Sequence, residues 1–267
     1  MSSWQLVSGN LTQISVGSAS HIWGVDRYTV YQRVNNAWRQ EIGAVATYVS
    51  VGADSTVWGL SLQDIPHWYL APTWHTLGGQ AMNQISIGSK SHIWGVDKYY
   101  CACQLVKNTW QQIRMTPQIK QVSVGADGTV WCVSYQNIVF QYAGNGQFQQ
   151  IDGKLKLISV GSASHIWGLD ASNAIYQRVN NAWQRVPGSL GYISVGADGT
   201  VWGLNANNEI FVYTHHPATP TTGASRFCKN TKLQIHHLSM HNAVATFEKH
   251  FQISTVRLKF LAFYLFA

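Results

Sequence analysis

Apolar positions along the first four-fifths of the chain fall into short runs separated by turn residues. Between Ile158 and Gly188 the runs are ISVG, HIWGL, AIYQRV and AWQRVPG. Runs of this length, rich in Val, Ile, Trp and Tyr and bounded by Gly, Asn and Asp, predict β-strands rather than helices. Four consecutive runs with tight turns between them predict a four-stranded antiparallel sheet, with strands a to d in chain order.

The pattern then repeats. One phrase occurs six times, as ISVGSASHIWGVD from Ile14, VSVGADSTVWGL from Val49, ISIGSKSHIWGVD from Ile85, VSVGADGTVWCV from Val122, ISVGSASHIWGLD from Ile158 and ISVGADGTVWGLN from Ile193. Its glycines (Gly17, Gly52, Gly88, Gly125, Gly161 and Gly196) are spaced 35, 36, 37, 36 and 35 residues apart. No large insertion interrupts the array. A lone sheet of this size cannot bury both faces, so the repeats must stack. Four-stranded repeats without a helical period or end caps fit radial blades. The fold class predicted is all-β, a six-bladed β-propeller of four-stranded antiparallel blades.

Closure of the ring leaves a trace in the aromatic residues. Trp38, Trp74, Trp110, Phe148 and Trp183 open strand d, 13 to 15 residues before the next repeat glycine. The sixth repeat stops at Tyr213 without such a strand, whereas Trp4, in SWQLVSGN, lies 13 residues before Gly17. The N-terminal segment is therefore expected to supply the outer strand of the last blade. The propeller is predicted over residues 1–213, and 214–267 is expected to be a poorly ordered, non-repeat tail.

Composition refines this picture. The net charge of +7 divides into +2 over residues 1–213 (12 Lys+Arg, 10 Asp+Glu) and +5 over 214–267 (6 against 1). A nucleic-acid partner is disfavoured by so small a charge on the ring. The tail holds 6 of the 11 His and none of the 12 Trp. Its last apolar stretch, LKFLAFYLFA, is shorter than the roughly 20 residues of a membrane-spanning helix. The N-terminus carries no basic flank followed by an apolar run, as a secretory signal would. Cys101, Cys103, Cys132 and Cys228 show neither a disulfide framework nor metal-ligand spacing. A cytoplasmic monomer without metal or cofactor is the expectation.

Candidate chemistry lies in the blades. The strand-b tryptophans (Trp23, Trp58, Trp94, Trp131, Trp167 and Trp202) are expected to fill the space between blades, and an exposed ring edge could also floor a ligand groove. Odd repeats read Ser-His-Ile-Trp, with His21, His92 and His165, where even repeats read Thr-Val-Trp. Alternation along a strand puts His21 and Trp23 on one face. The turn after strand a and the turn after strand c (Asn35, Asn36) share one end of a blade. Asp26, Asp97 and Asp170 follow strand b at the opposite end. The candidate sugar-binding set is His21, Trp23, Asp26 and Arg33 in the first repeat, His92, Trp94 and Asp97 in the third, and His165, Trp167, Asp170 and Arg178 in the fifth. Indoles pack on the C–H faces of sugars while imidazole, amide and carboxylate groups orient hydroxyls. Weak sites repeated round a ring gain avidity. Hairpin turns and solvated surface explain the same polar residues without any ligand.

The phrase ISVGSASHIWGVD, with AWRQ in strand d and the alternate GADGTVWGL, resembles the tectonin repeat, most of all that of mushroom members of the family. The resemblance covers residues 1 to about 213. It implies a six-bladed lectin. Fungal members bind O-methylated glycans on nematodes or bacteria in defence, and animal relatives bind bacterial lipopolysaccharide. Glycans, O-methylated above all, are thus the expected partners. Cys132 replaces the usual glycine in the fourth repeat, and SLQDIPHWYLAPTW and YYCACQLV disturb strand c in the second and third. Unequal sites follow, and the weakest are expected around blades 2 to 4.

Two other functions compete. A non-catalytic protein scaffold would use the same fold without sugar. A glycosidase would need two carboxylates within roughly 5 to 10 Å, whereas the acids here recur one per repeat position and a ring holds equivalents apart. No Gly-x-Ser-x-Gly or HExxH motif is present. An enzyme is not expected.

Overall fold

A computed structural model describes residues 3–114 and 117–214; the expected tail lies outside the described residues except for Thr214. Within them, 24 strands form six separate sheets of four. The first blade shows the plan, with strands a to d at Gln13–Ser18, His21–Asp26, Thr29–Val34 and Ala37–Val45. The inner strands of the next five blades are Tyr48–Val51, Met82–Ser89, Ile119–Val124, Leu157–Ser162 and Tyr192–Val195. The a–b and c–d turns define what is called here the upper rim, and the b–c turns the lower rim. Among the described residues no helix is long and apolar enough to cross a membrane.

The sixth blade is composite. Its sheet runs Tyr192–Val195, Val201–Leu204, Glu209–Thr214 and then Ser3–Asn10. Trp4 pairs with Tyr213 and Leu6 with Phe211 in an antiparallel register. The Trp4 indole N–H donates to Pro187 O of the fifth blade at 3.0 Å. The first segment of the chain therefore completes the last blade, as the missing sixth strand d predicts.

Alternation within the inner strands explains the core. Ile14 and Val16 are buried in the apolar space between blades, and Ser15 between them is buried as well. Its hydroxyl is satisfied across the blade gap, accepting from Val51 N at 2.9 Å. The bond recurs at every junction: Ile87 N to Ser50, Val124 N to Ser86, Val160 N to Ser123, Val195 N to Ser159, and Val16 N to Ser194, at 2.9 to 3.0 Å. Six serines thus form a closed hoop round the axis. Each supplies an acceptor to a buried backbone donor that would otherwise cost about 1–3 kcal/mol unpaired.

Inside the hoop the axial cavity holds only about 40 Å³, lined by those serines and by Gln84, Gln121, Tyr48 and Tyr192. Toward the lower rim Gln13 spans to the next blade through both amide ends, donating to Val49 O at 2.9 Å and accepting from Val49 N at 3.2 Å. The Tyr48 and Tyr192 hydroxyls meet at 3.3 Å. The axis has room for a water or two and none for a sugar.

Glycine is required where inner strands meet most closely. A Cβ on Gly17, Gly88 or Gly161 would lie 2.2, 2.0 and 2.0 Å from the carbonyl oxygen of Gly52, Gly125 and Gly196 in the following blade. At the even glycines the nearest atoms are 2.9 to 3.0 Å away. Odd and even blades thus meet through different surfaces.

Candidate functional site

The difference continues outward along each blade face and sorts the six junctions into two sets of three. Where an odd blade precedes an even one, Trp23, Trp94 and Trp167 (3, 2 and 1% exposed) are wholly interior. Each stands edge-on to a strand-c tyrosine of the next blade, Tyr69, Tyr142 and Tyr213, at centroid distances of 5.3, 5.0 and 5.1 Å. Those tyrosines pack in turn on Trp74, Phe148 and Trp4. These junctions are filled by aromatic rings.

The histidines belong to the same closed junctions. Nδ1 of His21, His92 and His165 lies 3.0 to 3.2 Å from the hydroxyl of Ser18, Ser89 and Ser162. His92 and His165 also reach Ala126 O and Ala197 O on the next blade at 3.1 and 3.0 Å. Gly128 and Gly199, at φ 84° and 83°, lie beneath these two rings, and an added Cβ would sit 2.9 and 2.8 Å from Nε2. At His92 and His165 the His-for-Thr alternation therefore serves blade-to-blade stitching.

Where an even blade precedes an odd one, the position of the strand-c tyrosine is held by Arg33, Leu105 and Arg178. Arg33 lies with its guanidinium carbon 5.4 Å from the Trp38 ring centre and 4.9 Å from that of Trp202. Arg178 repeats this between Trp183 and Trp131, at 5.1 and 5.3 Å. Burial pulls both guanidinium pKa values down, yet arginine stays charged. Stacking on indole stabilises it by about 0.5–2 kcal/mol. Two of the three junctions are thus plugged by a cation between two tryptophans.

At the third, between blades 2 and 3, Leu105 takes the place of the arginine and a cleft of about 430 Å³ opens on the upper rim. Trp58, Trp68, Tyr69 and Leu70 line it from blade 2, and Ile93, Leu105, Lys90, Lys107 and Asn108 from blade 3. Trp68 pairs with Trp58 across the sheet, where Gln141 and Val212 pair with Trp131 and Trp202 in blades 4 and 6. The Trp68 ring stacks on His75, 4.4 Å between centres and 21° from parallel. Two of the departures read as weakening sites around blades 2 to 4, those in strand c of the second and third repeats, line this opening.

The remaining candidates lie elsewhere. Asp97 is 1% exposed, accepting from Tyr99 N, Cys101 N and Gln112 Nε2, and so holds a lower-rim turn instead of facing solvent. Asp170 does the same for its turn through Ser172 N and Ala174 N. Asp26 ends its strand opposite Thr29 on the same rim. The candidate set is thus dispersed. Trp23 faces blade 2, Arg33 faces blade 6, and His21 and Asp26 stand at opposite ends of one strand. The cleft residues Trp68, Lys90, Leu105 and Lys107 went unrecognised, although each marks a break in the repeat.

Among the described residues no three His, Cys, Asp or Glu side chains gather as metal ligands. Cys101, Cys103 and Cys132 are free. Burial, with Asp97 adding to it, pushes the Cys103 thiol up to about 12, and burial pushes Cys132 higher still. Both thiols stay protonated and inert at neutral pH.

Six blades with a cleft of indoles on one rim define a β-propeller of the binding-module class. A family model for the tectonin domain matches residues 26–102 and 82–245, and the chain belongs to that family. Its role is accordingly that of a lectin-like or protein-interaction module, in a family that is typically non-enzymatic. No curated protein sequence matches the chain. Solved structures share the fold at low identity. A structure described as YCF48 bound to D1 peptide is 9% identical with TM-score 0.57, covering 80% of this chain and 97% of its own. YCF48 from Cyanidioschyzon merolae is 11% identical with TM-score 0.53, covering 79% and 98%. The WD40 β-propeller domain of Doa1 is 10% identical with TM-score 0.56, covering 81% and 98%.

Proposed function

We propose that the protein is a lectin that binds glycans, O-methylated ones in particular, on foreign cell surfaces such as those of nematodes or bacteria, in the service of fungal defence. The observation that carries this reading is the indole-lined cleft between blades 2 and 3. A pyranose ring would pack its C–H face on Trp68, itself braced by His75, while Asn108 and Thr56 orient hydroxyls. The apolar wall of Leu70, Ile93 and Leu105 suits a methyl ether, which gains roughly 0.8 kcal/mol per buried carbon. The Arg33 and Arg178 junctions, filled by guanidiniums held between two indoles, would leave this cleft as the sugar site.

A glycan array containing O-methylated and unmethylated partners tests the reading. Retention of methylated sugars, lost in Trp68→Ala, is expected; silence across the array overturns it. A second reading, a protein scaffold, draws on Ile42 and Val45 of the first blade, 91% and 60% exposed. Val45 borders a lower-rim cavity of about 280 Å³ against His67 and Trp74. The fold relative described with a bound D1 peptide is consistent with it. Capture of one specific protein by an immobilised ring that ignores every glycan, abolished by Ile42→Asp with Val45→Asp, would favour that reading.

A further inference from the structure

The cleft between blades 2 and 3 differs from its sisters in more than the missing arginine. Lys90 stands where the equivalent a–b turns carry Ala19 and Ala163, and Lys107 where the c–d turns carry Asn35 and Asn180. Both lysines are exposed and line the cleft. Neither joins a salt bridge; the ion pair found among the described residues is Arg39 with Glu41. The one carboxylate of the cleft, Asp54, is already engaged, with Oδ1 accepting from Thr56 N at 3.1 Å and Oδ2 from Lys90 N at 2.9 Å.

Lys107 is costly where it stands. Its φ is 49°, followed by 61° at Asn108, the left-handed pair of a two-residue hairpin turn. Asn35 and Asn180 adopt the same backbone at 48°, and asparagine tolerates it better than a long side chain does. The cation that fills the sister junctions is thus missing from the interior, and two exposed ammonium groups stand at the entrance.

We propose that this cleft binds a saccharide carrying a fixed anion, a carboxylate, sulfate or phosphate, with the sugar ring on Trp68 and the anion between Lys90 and Lys107. The inference rests on the lectin reading and narrows its substrate class. Titration calorimetry on the full chain would compare matched pairs: methyl glucoside with methyl glucuronide, and galactose with its 6-sulfate and 6-phosphate, at low and high salt. The anionic partner is expected to bind roughly tenfold more tightly at low salt and to lose that advantage at high salt.

The double variant Lys90→Ala with Lys107→Asn installs the residues of the sister blades and relieves the turn at Lys107, so it should melt no lower than the wild type. It is expected to lose the preference for anions while keeping affinity for the neutral sugars. Equal affinity for neutral and anionic partners, or a preference that survives in the double variant, overturns the proposal and leaves the lectin reading standing. Lysine-dependent binding of poly-glutamate without binding of any saccharide overturns both, and assigns the cleft to an acidic protein. The sulfate, phosphate and uronate arms distinguish which anion the site takes.

Discussion

Asp198 of the last blade and Ala19 of the first are joined by a 2.7 Å hydrogen bond from the alanine N–H to the carboxylate Oδ2. The same bond links Asp54 to Lys90 N at 2.9 Å and Asp127 to Ala163 N at 2.8 Å. The other oxygen, Oδ1, accepts from the threonine two residues on in each case. Each even-to-odd junction is therefore tied at the upper rim by one aspartate, and the ring is closed by the same device that holds it elsewhere.

These carboxylates make the ring sensitive to acid. Burial pushes Asp54, Asp127 and Asp198 up, but hydrogen bonds from the next blade and from the local threonine outweigh it, and the net shift is downward. Groups whose folded pKa lies below the unfolded value of about 3.9 stabilise the fold above that value, and their contribution disappears as pH falls through the folded pKa. The melting temperature should hold between pH 7 and 5 and drop below about pH 4. In Asp54→Asn with Asp127→Asn and Asp198→Asn the curve should start lower and fall less steeply through that window.

Close approach of inner strands predicts an odd–even difference in tolerance to one methyl group. Gly161→Ala would drive a Cβ to within 2.0 Å of Gly196 O, a backbone atom with nowhere to go. A loss of about 3 kcal/mol is expected, against about 1 kcal/mol for Gly52→Ala, where the nearest atoms are at 2.9 to 3.0 Å. Urea unfolding of the two variants measures the gap.

Removing one link of the serine hoop should cost more than its polarity suggests. Ser159→Ala leaves Val195 N without its partner beside an axial cavity with room for no more than a water or two. The expected loss is about 1–3 kcal/mol, read as a lower midpoint in urea with an unchanged slope.

The arginine plug can be moved. Leu105→Arg should close the cleft between blades 2 and 3 as Arg33 closes its own, weakening sugar binding at least roughly tenfold without lowering the melting temperature. Arg178→Leu should open a second cleft between Trp131 and Trp183. Calorimetric stoichiometry reads the number of competent sites in both.

Much of the architecture was readable because it is written in period and omission. Six phrases at 35 to 37 residues, and a sixth repeat lacking the strand that Trp4 supplies, require a closed ring. Interior placement of the strand-b tryptophans follows from both faces of a blade being covered. The cleft was not readable in the same way. Leu105 and Trp68 look like lapses in a repeat until the facing blade is present, since one opens and the other lines the same gap. Asp97 and Asp26 are equivalent in sequence, yet Tyr99, Cys101 and Gln112 enclose only the former. Ser15 and Asp54 read as a strand position and a turn residue, because their partners lie 36 residues away in the next repeat.

Two kinds of seam alternating round the ring set a rule of parity on descent. An odd repeat offers histidine and tryptophan forward and demands aspartate from behind, so two odd neighbours would leave both unmet. Duplication or loss of a single repeat would leave one mismatched seam, and only pairs can be inserted or deleted cleanly. The heritable module of this wheel is the doublet, 71 residues from Gly17 to Gly88 and 73 from Gly88 to Gly161, and relatives built from it should count four, six or eight blades, never five or seven.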